Sequence, residues 1–212
     1  MKLIKILIWA TIPIFLIMLF ASLLTTKTYL YASKGLYESH EDIYYDHDYA
    51  IDRIMGYLNY EYDDLYFGLN EDDDSIILRD IEIRHMEDVK DLYTMLRIVA
   101  LSSLIIGGSL ITYLYKKNKE ALYDTLKHLY VAPLLFILFV GGYIVIDFNT
   151  AFRVFHELFF TNDDWILYAN DVLILLLPTN FWMVSGIIIL TLFSLSLLGI
   201  HMLNKKIIYK AL

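Results

Sequence analysis

The sequence contains no cysteine. That absence removes disulfide frameworks, thiolate nucleophiles and sulfur-ligated zinc sites together, and with no lipobox cysteine the chain is not expected to be a lipoprotein itself. The serine-nucleophile patterns GxSxG and SxxK are missing, as are the zinc-hydrolase pattern HExxH and the Walker and Rossmann glycine signatures. Any chemistry must therefore come from oxygen and nitrogen side chains without a standard protein nucleophile. Basic residues are also outnumbered, 17 Lys and Arg against 25 Asp and Glu, for a net charge of −8. That balance gives no reason to expect a nucleic-acid partner.

What the chain has in quantity is apolar surface. Of 212 residues, 58% are hydrophobic, against roughly 45–50% in soluble domains. Four apolar runs, at about 3–24, 95–115, 129–146 and 181–203, reach or approach the roughly 20 residues a helix needs to cross a bilayer. The expected class is an all-α membrane protein with four transmembrane helices in a single integral membrane domain. Lys2 and Lys5 ahead of the first run also fit a signal peptide, but the run exceeds the usual h-region of roughly 7–15 residues, which favours a retained helix.

Orientation follows from the cationic residues, which accumulate on cytoplasmic flanks. Lys2, Lys5, Lys116, Lys117, Lys119, Lys127, Lys205, Lys206 and Lys210 fall on one side, so both termini and the loop 116–128 are expected in the cytoplasm. On the other side, 25–94 holds 18 Asp and Glu against six Lys and Arg (Lys34 among them), an acidity set by topology. The extracytoplasmic parts are then 25–94, a small mostly helical cap between helices 1 and 2, and 147–180 between helices 3 and 4. Within the cap, Ile51, Ile54, Met55, Leu58, Tyr62 and Leu65 recur at helical spacing, predicting an amphipathic helix over 49–66. A turn is expected at 69–74 and a short extended piece at 75–83, with the second transmembrane helix beginning near Glu82. The run DVLILLLP at 171–178 is too short to span and is expected to be re-entrant or interfacial.

Two histidines hold matched positions beside spanning segments: His85 in IRHMEDV and His156 in FRVFHELFFTNDDW. Imidazole, with an ordinary pKa near 6.5, suits proton transfer at neutral pH. A helix starting near Glu82 puts His85, Asp88 and Leu92 on one face. His156 lies among Phe152, Phe155, Phe159, Phe160 and Trp165, aromatics of the kind that collect at a lipid interface. The residues alone leave these histidines open between structural hydrogen bonding and proton transfer. A metal site on His85, Asp88, His156 and Glu157 is a further reading, without a tight ligand spacing to support it. The acidic runs at 46–48 and 71–74 lack the EF-hand pattern and read as solvated surface. The pair Gly107 and Gly108 reads as close helix packing.

The strings IRHMEDVK and FHELFFTNDDWILYANDVLILLLPTNFW, on a four-helix chain of this length, resemble the family of small integral membrane proteins of low-GC Gram-positive bacteria that includes the lipoprotein intramolecular transacylase. The shared cores fall on His85, Met86, Asp88 and Val89, and on Phe155, His156, Phe159, Phe160, Asn162, Asp163 and Trp165. This chain has Thr161 where the family often has proline. The resemblance implies an acyltransferase of the bacterial cell membrane with its active site on the extracytoplasmic side. It would act on diacylglyceryl-modified lipoproteins and membrane lipid, moving the sn-2 acyl chain to the α-amino group of the N-terminal cysteine to leave the lyso form. It implies His85 and His156 as the catalytic pair, Asp88, Asn162, Asp163 and Trp165 as supporting or substrate-binding residues, and neither cofactor nor metal. One histidine would take the amine proton while the other assists the glyceryl oxygen or the oxyanion, with Asp88 or Asp163 orienting an imidazole. Two other functions stand beside this one: a non-enzymatic membrane protein whose acidic cap binds a partner or cation, and a metal-dependent membrane hydrolase.

Overall fold

The computed structural model describes residues 1–33, 35 and 44–208, the last two by backbone alone. Lys34 and Lys210, which enter the charge counts above, lie outside the described residues. The regular elements among the described residues are helices, with no strand: α1 (Lys2–Ala21), α2 (Lys27–Ser33), α3 (His47–Leu58), α4 (Asp80–Lys117), α5 (Lys119–Lys127), α6 (Val131–Ile146), α7 (Phe148–Phe159), α8 (Val172–Leu176) and α9 (Thr179–Leu203). Four stretches are long and apolar enough to cross a membrane: Lys2–Thr25, Asp80–Lys117, Lys119–Ile146 and Thr179–Lys206. The expected four-helix class holds. Helix α4 has 38 residues, about 57 Å at 1.5 Å per residue, well beyond the roughly 30 Å of a hydrocarbon core. Its charged first turns, which carry His85, therefore extend beyond the apolar run at 95–115.

The chain divides into two compact units. The first comprises Met1–Ala21, Leu96–Ile146 and Ile187–Leu212. Its core gathers Ile8 and Ile12 from α1, Leu114 from α4, Leu122 and Leu126 from α5, and Phe193 and Leu197 from α9. Gly107 allows α1 and α4 to meet closely: a Cβ there would lie 2.7 Å from Thr11 Oγ1 and 2.8 Å from Ile12 Cδ1. Gly108 faces nothing within 4 Å among the described residues, so the packing expected of the pair belongs to Gly107 alone. Polar contacts tie α1 to α5, through Lys5 to Asp124 and from Trp9 Nε1 to the Thr125 carbonyl at 2.9 Å. Helix α6 buries none of its residues, and Leu138, Phe139, Val145 and Ile146 point outward, as side chains with lipid for solvent do.

The second unit comprises Ser22–Met95 and Asp147–Gly186 and has its own core. That core is built from α3 (Ile51, Ile54, Met55), α8 (Val172, Leu173, Leu176), Leu65, Phe67 and Phe181. The run at 171–178 holds the short helix α8, and Val172, Leu173, Leu175 and Leu176 are buried in protein as part of the core of the unit. The amphipathic helix expected over 49–66 is shorter and starts earlier. It begins at His47 because the Asp46 carboxylate caps Asp48 and Tyr49 N–H. It ends at Leu58 because Asn59 Nδ2 donates to the Met55 and Thr25 carbonyls while Tyr60 takes a positive φ of 64°. At the turn over 69–74, Asp73 Oδ2 accepts from Leu69 N–H and Ser75 Oγ.

The extended piece expected at 75–83 is helical from Asp80. The glutamate half of a capping box explains the early start: Glu82, the third helical residue, accepts from Arg79 N–H at 2.9 Å. The same carboxylate is fully buried and also accepts from Leu173 N–H at 2.9 Å, so it caps α4 and α8 together. Beside it, buried Asp171 accepts from Tyr168 N–H and pairs with Arg79. This polar knot fixes the first turn of α4, with Glu82 three residues before His85.

Candidate active site

His85 and His156 come together inside the second unit, with ring centroids 5.9 Å apart. Their sequence separation is bridged by two elements. His85 sits in the second turn of α4, and His156 sits in the last turn of α7, whose start is capped by Asp147 accepting from Thr150 N–H. Helix α7 stops at Phe160, which turns extended while its N–H still closes on the His156 carbonyl at 2.8 Å. Phe160 thereby falls against both imidazoles, 5.3 Å from His85 and 5.6 Å from His156.

Both histidines are buried, at 9% and 7% exposure. Aromatic rings surround His156: Phe152 at 4.2 Å, Trp165 at 5.0 Å and Phe155 at 5.4 Å, in addition to Phe160. The sequence placed these rings at a lipid interface; four of the five pack on the imidazole. His156 Nδ1 lies 2.7 Å from the Phe152 carbonyl oxygen. A carbonyl only accepts, so Nδ1 carries the hydrogen and the neutral ring has its lone pair on Nε2. His85 Nδ1, in contrast, is buried with no hydrogen-bond partner among the described residues. An unpartnered buried polar atom is costly, and sites that bind a polar ligand commonly carry one.

The supporting residues sort differently. Asp88 accepts from Asn162 Nδ2 at 2.8 Å, joining α4 to the segment after α7. Trp165 stacks on His156 at an interplanar angle of 30°. Asp163 is exposed, and its backbone carbonyl accepts from Ile166 N–H. Glu157, one of the candidate metal ligands, pairs with Arg153 at 3.1 Å, and no group of three or more metal-ligating side chains assembles among the described residues. Sequence reasoning missed Arg84 and Asp164, which form a two-pronged contact at 2.9 and 3.0 Å. The available signal was charge: an arginine beside His85 and a pair of aspartates just past His156. The guanidinium holds the Asp164 carboxyl below its ordinary range. An open groove of about 370 Å³ adjoins the site, with Asp88, Asp91 and Asn162 among its polar lining and Leu92, Met95, Leu158 and Phe159 among its apolar lining.

Burial pushes the His156 pKa below its ordinary value, with the bond to the Phe152 carbonyl opposing that shift. The neutral base thus persists below the usual value near 6.5. The unfolded chain takes up this proton first, so the contribution to stability is complete above about pH 6.5 and is lost as pH falls through the lower folded value. The thermal midpoint of the wild-type protein is expected to drop as pH falls from about 7 to about 5. His156→Gln, which cannot titrate, is expected to drop less, as measured by circular dichroism.

Comparison with known proteins adds to this geometry. The family described as lipoprotein intramolecular transacylase, Lit, matches residues 6–182. The fold is similar to that of the membrane-integral lipoprotein intramolecular transacylase Lit from Bacillus cereus, with a TM-score of 0.80 and 22% identity over 99% of this chain and 96% of that one. Structures of the Bacillus cereus protein with H85A and H85R substitutions match at TM-scores of 0.74 and 0.73, each at 22% identity over 99% of this chain and 94% and 92% of theirs. No curated protein sequence matches the chain. The family match covers most of the sequence, and by it the chain belongs to the lipoprotein intramolecular transacylase family of acyltransferases.

Proposed function

We propose that this acyltransferase moves the sn-2 acyl chain of a diacylglyceryl-modified lipoprotein onto the α-amino group of the same molecule's N-terminal cysteine, with His85 and His156 handling the protons. The observation that carries this reading is the meeting of two buried imidazoles 5.9 Å apart in a chain without a cysteine or serine-motif nucleophile. The substrate brings its own nucleophile. An α-amine titrates near 7.7–8.0, so an imidazole can take its proton at modest cost.

His156 is the base, because its Nδ1–H is committed to Phe152 and its lone pair is on Nε2. The amine nitrogen attacks the ester carbonyl and forms the N–C bond while its proton passes to His156. His85, whose Nδ1 is unpartnered among the described residues, donates a hydrogen bond to the developing oxyanion, and the proton held by His156 passes to the glyceryl oxygen as the ester C–O bond breaks, which leaves both imidazoles neutral again. Proton and acyl group exchange places within one molecule, and no water is consumed. An imidazolium at His156 gains from the rings around it and from the C-terminal end of α7. Asp88 and Asn162 meet the amine end of the substrate, and the apolar wall of the groove receives acyl chain. Because amine and ester are tethered, orientation supplies much of the rate; effective molarities on the order of 10⁵ M occur in well-oriented intramolecular reactions. The lysine distribution supports a site on the extracytoplasmic side of the cell membrane, with both termini in the cytoplasm.

The test is mass spectrometry of the N-terminal peptide of a reporter lipoprotein, produced with and without this protein in a host that otherwise makes only the diacylglyceryl form. The expected product is an N-acyl, S-monoacylglyceryl peptide of unchanged total mass, told apart by fragmentation. An N-terminal peptide that keeps both chains on glycerol in the presence of the protein removes the proposal.

A further inference from the structure

The two imidazoles come from helices with no covalent connection near the site, so something must set their spacing. We propose that Arg84 and Asp164, together with Asp88 and Asn162, form a two-point strap that holds α4 to the segment 160–165 and thereby fixes the separation of the His85 and His156 rings. Arg84 and Asp164 are positioning residues for the acyl transfer proposed above, Asp88 and Asn162 combine this with their place in the groove, and the kinetic part of the strap's role rests on that reading.

The contacts bracket His85 along α4. Arg84, the residue before it, reaches both Asp164 oxygens, from Nε at 3.0 Å and from Nη2 at 2.9 Å. Asp88, three residues after it, accepts from Asn162 at 2.8 Å. The two anchors on the far side are joined to each other, because Asp164 N–H donates to Asn162 Oδ1 at 3.0 Å. Two-pronged guanidinium–carboxylate contacts fix direction as well as distance, which a lysine would not do. The strapped segment also carries the rings that touch the imidazoles, Phe160 on both and Trp165 on His156. The Arg84 side chain is 54% exposed and that of Asp164 22%, and a pair so exposed adds little to stability. Its geometry, and not its energy, is what the site uses.

The experiment uses the full chain in detergent or nanodiscs with a diacylglyceryl lipopeptide as substrate. Arg84→Ala and Asp164→Ala are each expected to lower kcat by up to about 100-fold, the scale of a 1 Å misplacement, with a much smaller change in KM and little change in thermal midpoint. The double variant is expected to be no worse than either single one, as for two residues acting through one contact. Arg84→Lys, which keeps the charge but loses the fork, recovers only part of the rate. A readout independent of activity uses the absence of native cysteine: spin labels at Glu87→Cys and Ile166→Cys report a narrow distance distribution that broadens when Asp164→Ala is added. Unchanged kcat in both single variants overturns the strap, and so does a distribution that stays narrow. If the wild-type protein yields no lyso product, the functional reading fails, and the spin-label measurement alone decides whether the strap sets the spacing.

Discussion

His85→Ala and His156→Ala each reduce formation of the lyso product by about 10²–10⁴-fold, the range lost when a positioned acid or base is removed. The expectation follows from the lack of any substitute. No cysteine exists, and Glu157, adjacent to His156 in sequence, pairs with Arg153. The loss should appear in kcat, because in the proposed mechanism the imidazoles act on protons that move only in the transition state. Both rings are buried, so truncation also leaves a cavity, and His85→Gln and His156→Gln serve as companions that retain volume without basicity. Mass-spectrometric product ratios under single-turnover conditions measure the effect. Either alanine variant turning over at the wild-type rate would end the assignment of a catalytic pair.

Glu82→Ala is the second large expected effect, and it falls on stability first. The side chain is fully buried and accepts from two backbone N–H groups, Arg79 at the start of α4 and Leu173 at the start of α8. Alanine leaves both donors unpaired away from water, at about 1–3 kcal/mol each. The start of α4 loses this capping contact in the same change, and His85 lies three residues after Glu82, so the rate drops as well. Glu82→Gln keeps one carbonyl oxygen able to accept and should lose less. Thermal unfolding in micelles, followed by circular dichroism, is expected to rank wild type above Gln and Gln above Ala; equal midpoints for all three would mean that the buried carboxylate holds neither helix.

Much of the architecture could be read in advance because the bilayer imposes a crude requirement. Long apolar runs announce themselves, and each of the four stretches contains one of the expected runs, although 80–117 and 119–146 begin well before theirs. Ends of elements were less legible. The helical spacing of α3 continues through Tyr62 and Leu65, and what stops the helix is Asn59 reaching the Thr25 carbonyl 34 residues away. The start of α4 was only half legible, since Glu82 sits where a capping-box glutamate reaches back but Arg79 stands where the motif has Ser or Thr. Its second role, on Leu173, depends on a contact 91 residues away.

The site divides in the same manner. Histidines in matched settings stood out, as did the rings near His156, because residue type alone marks them. The expected carboxylate orienter was not what His156 received. The Phe152 main-chain carbonyl took that place, and a carbonyl belongs to every residue alike, so no side-chain pattern points to it. Asp88 and Asn162 were singled out without their mutual bond, and Asp163 was preferred to Asp164 although the latter reaches Arg84. Neighbouring aspartates look equivalent in a string; a turn aims them differently.

The bond from His156 to Phe152 lies within one helical turn of α7. A link made inside a single helix travels with that helix. Rigid-body displacements move helices whole while their internal ladders stay intact. His156 therefore keeps its tautomer through any movement of α7 as a body. In the proposed mechanism, the chemical identity of the base is set by its own helix and not by the walls around it.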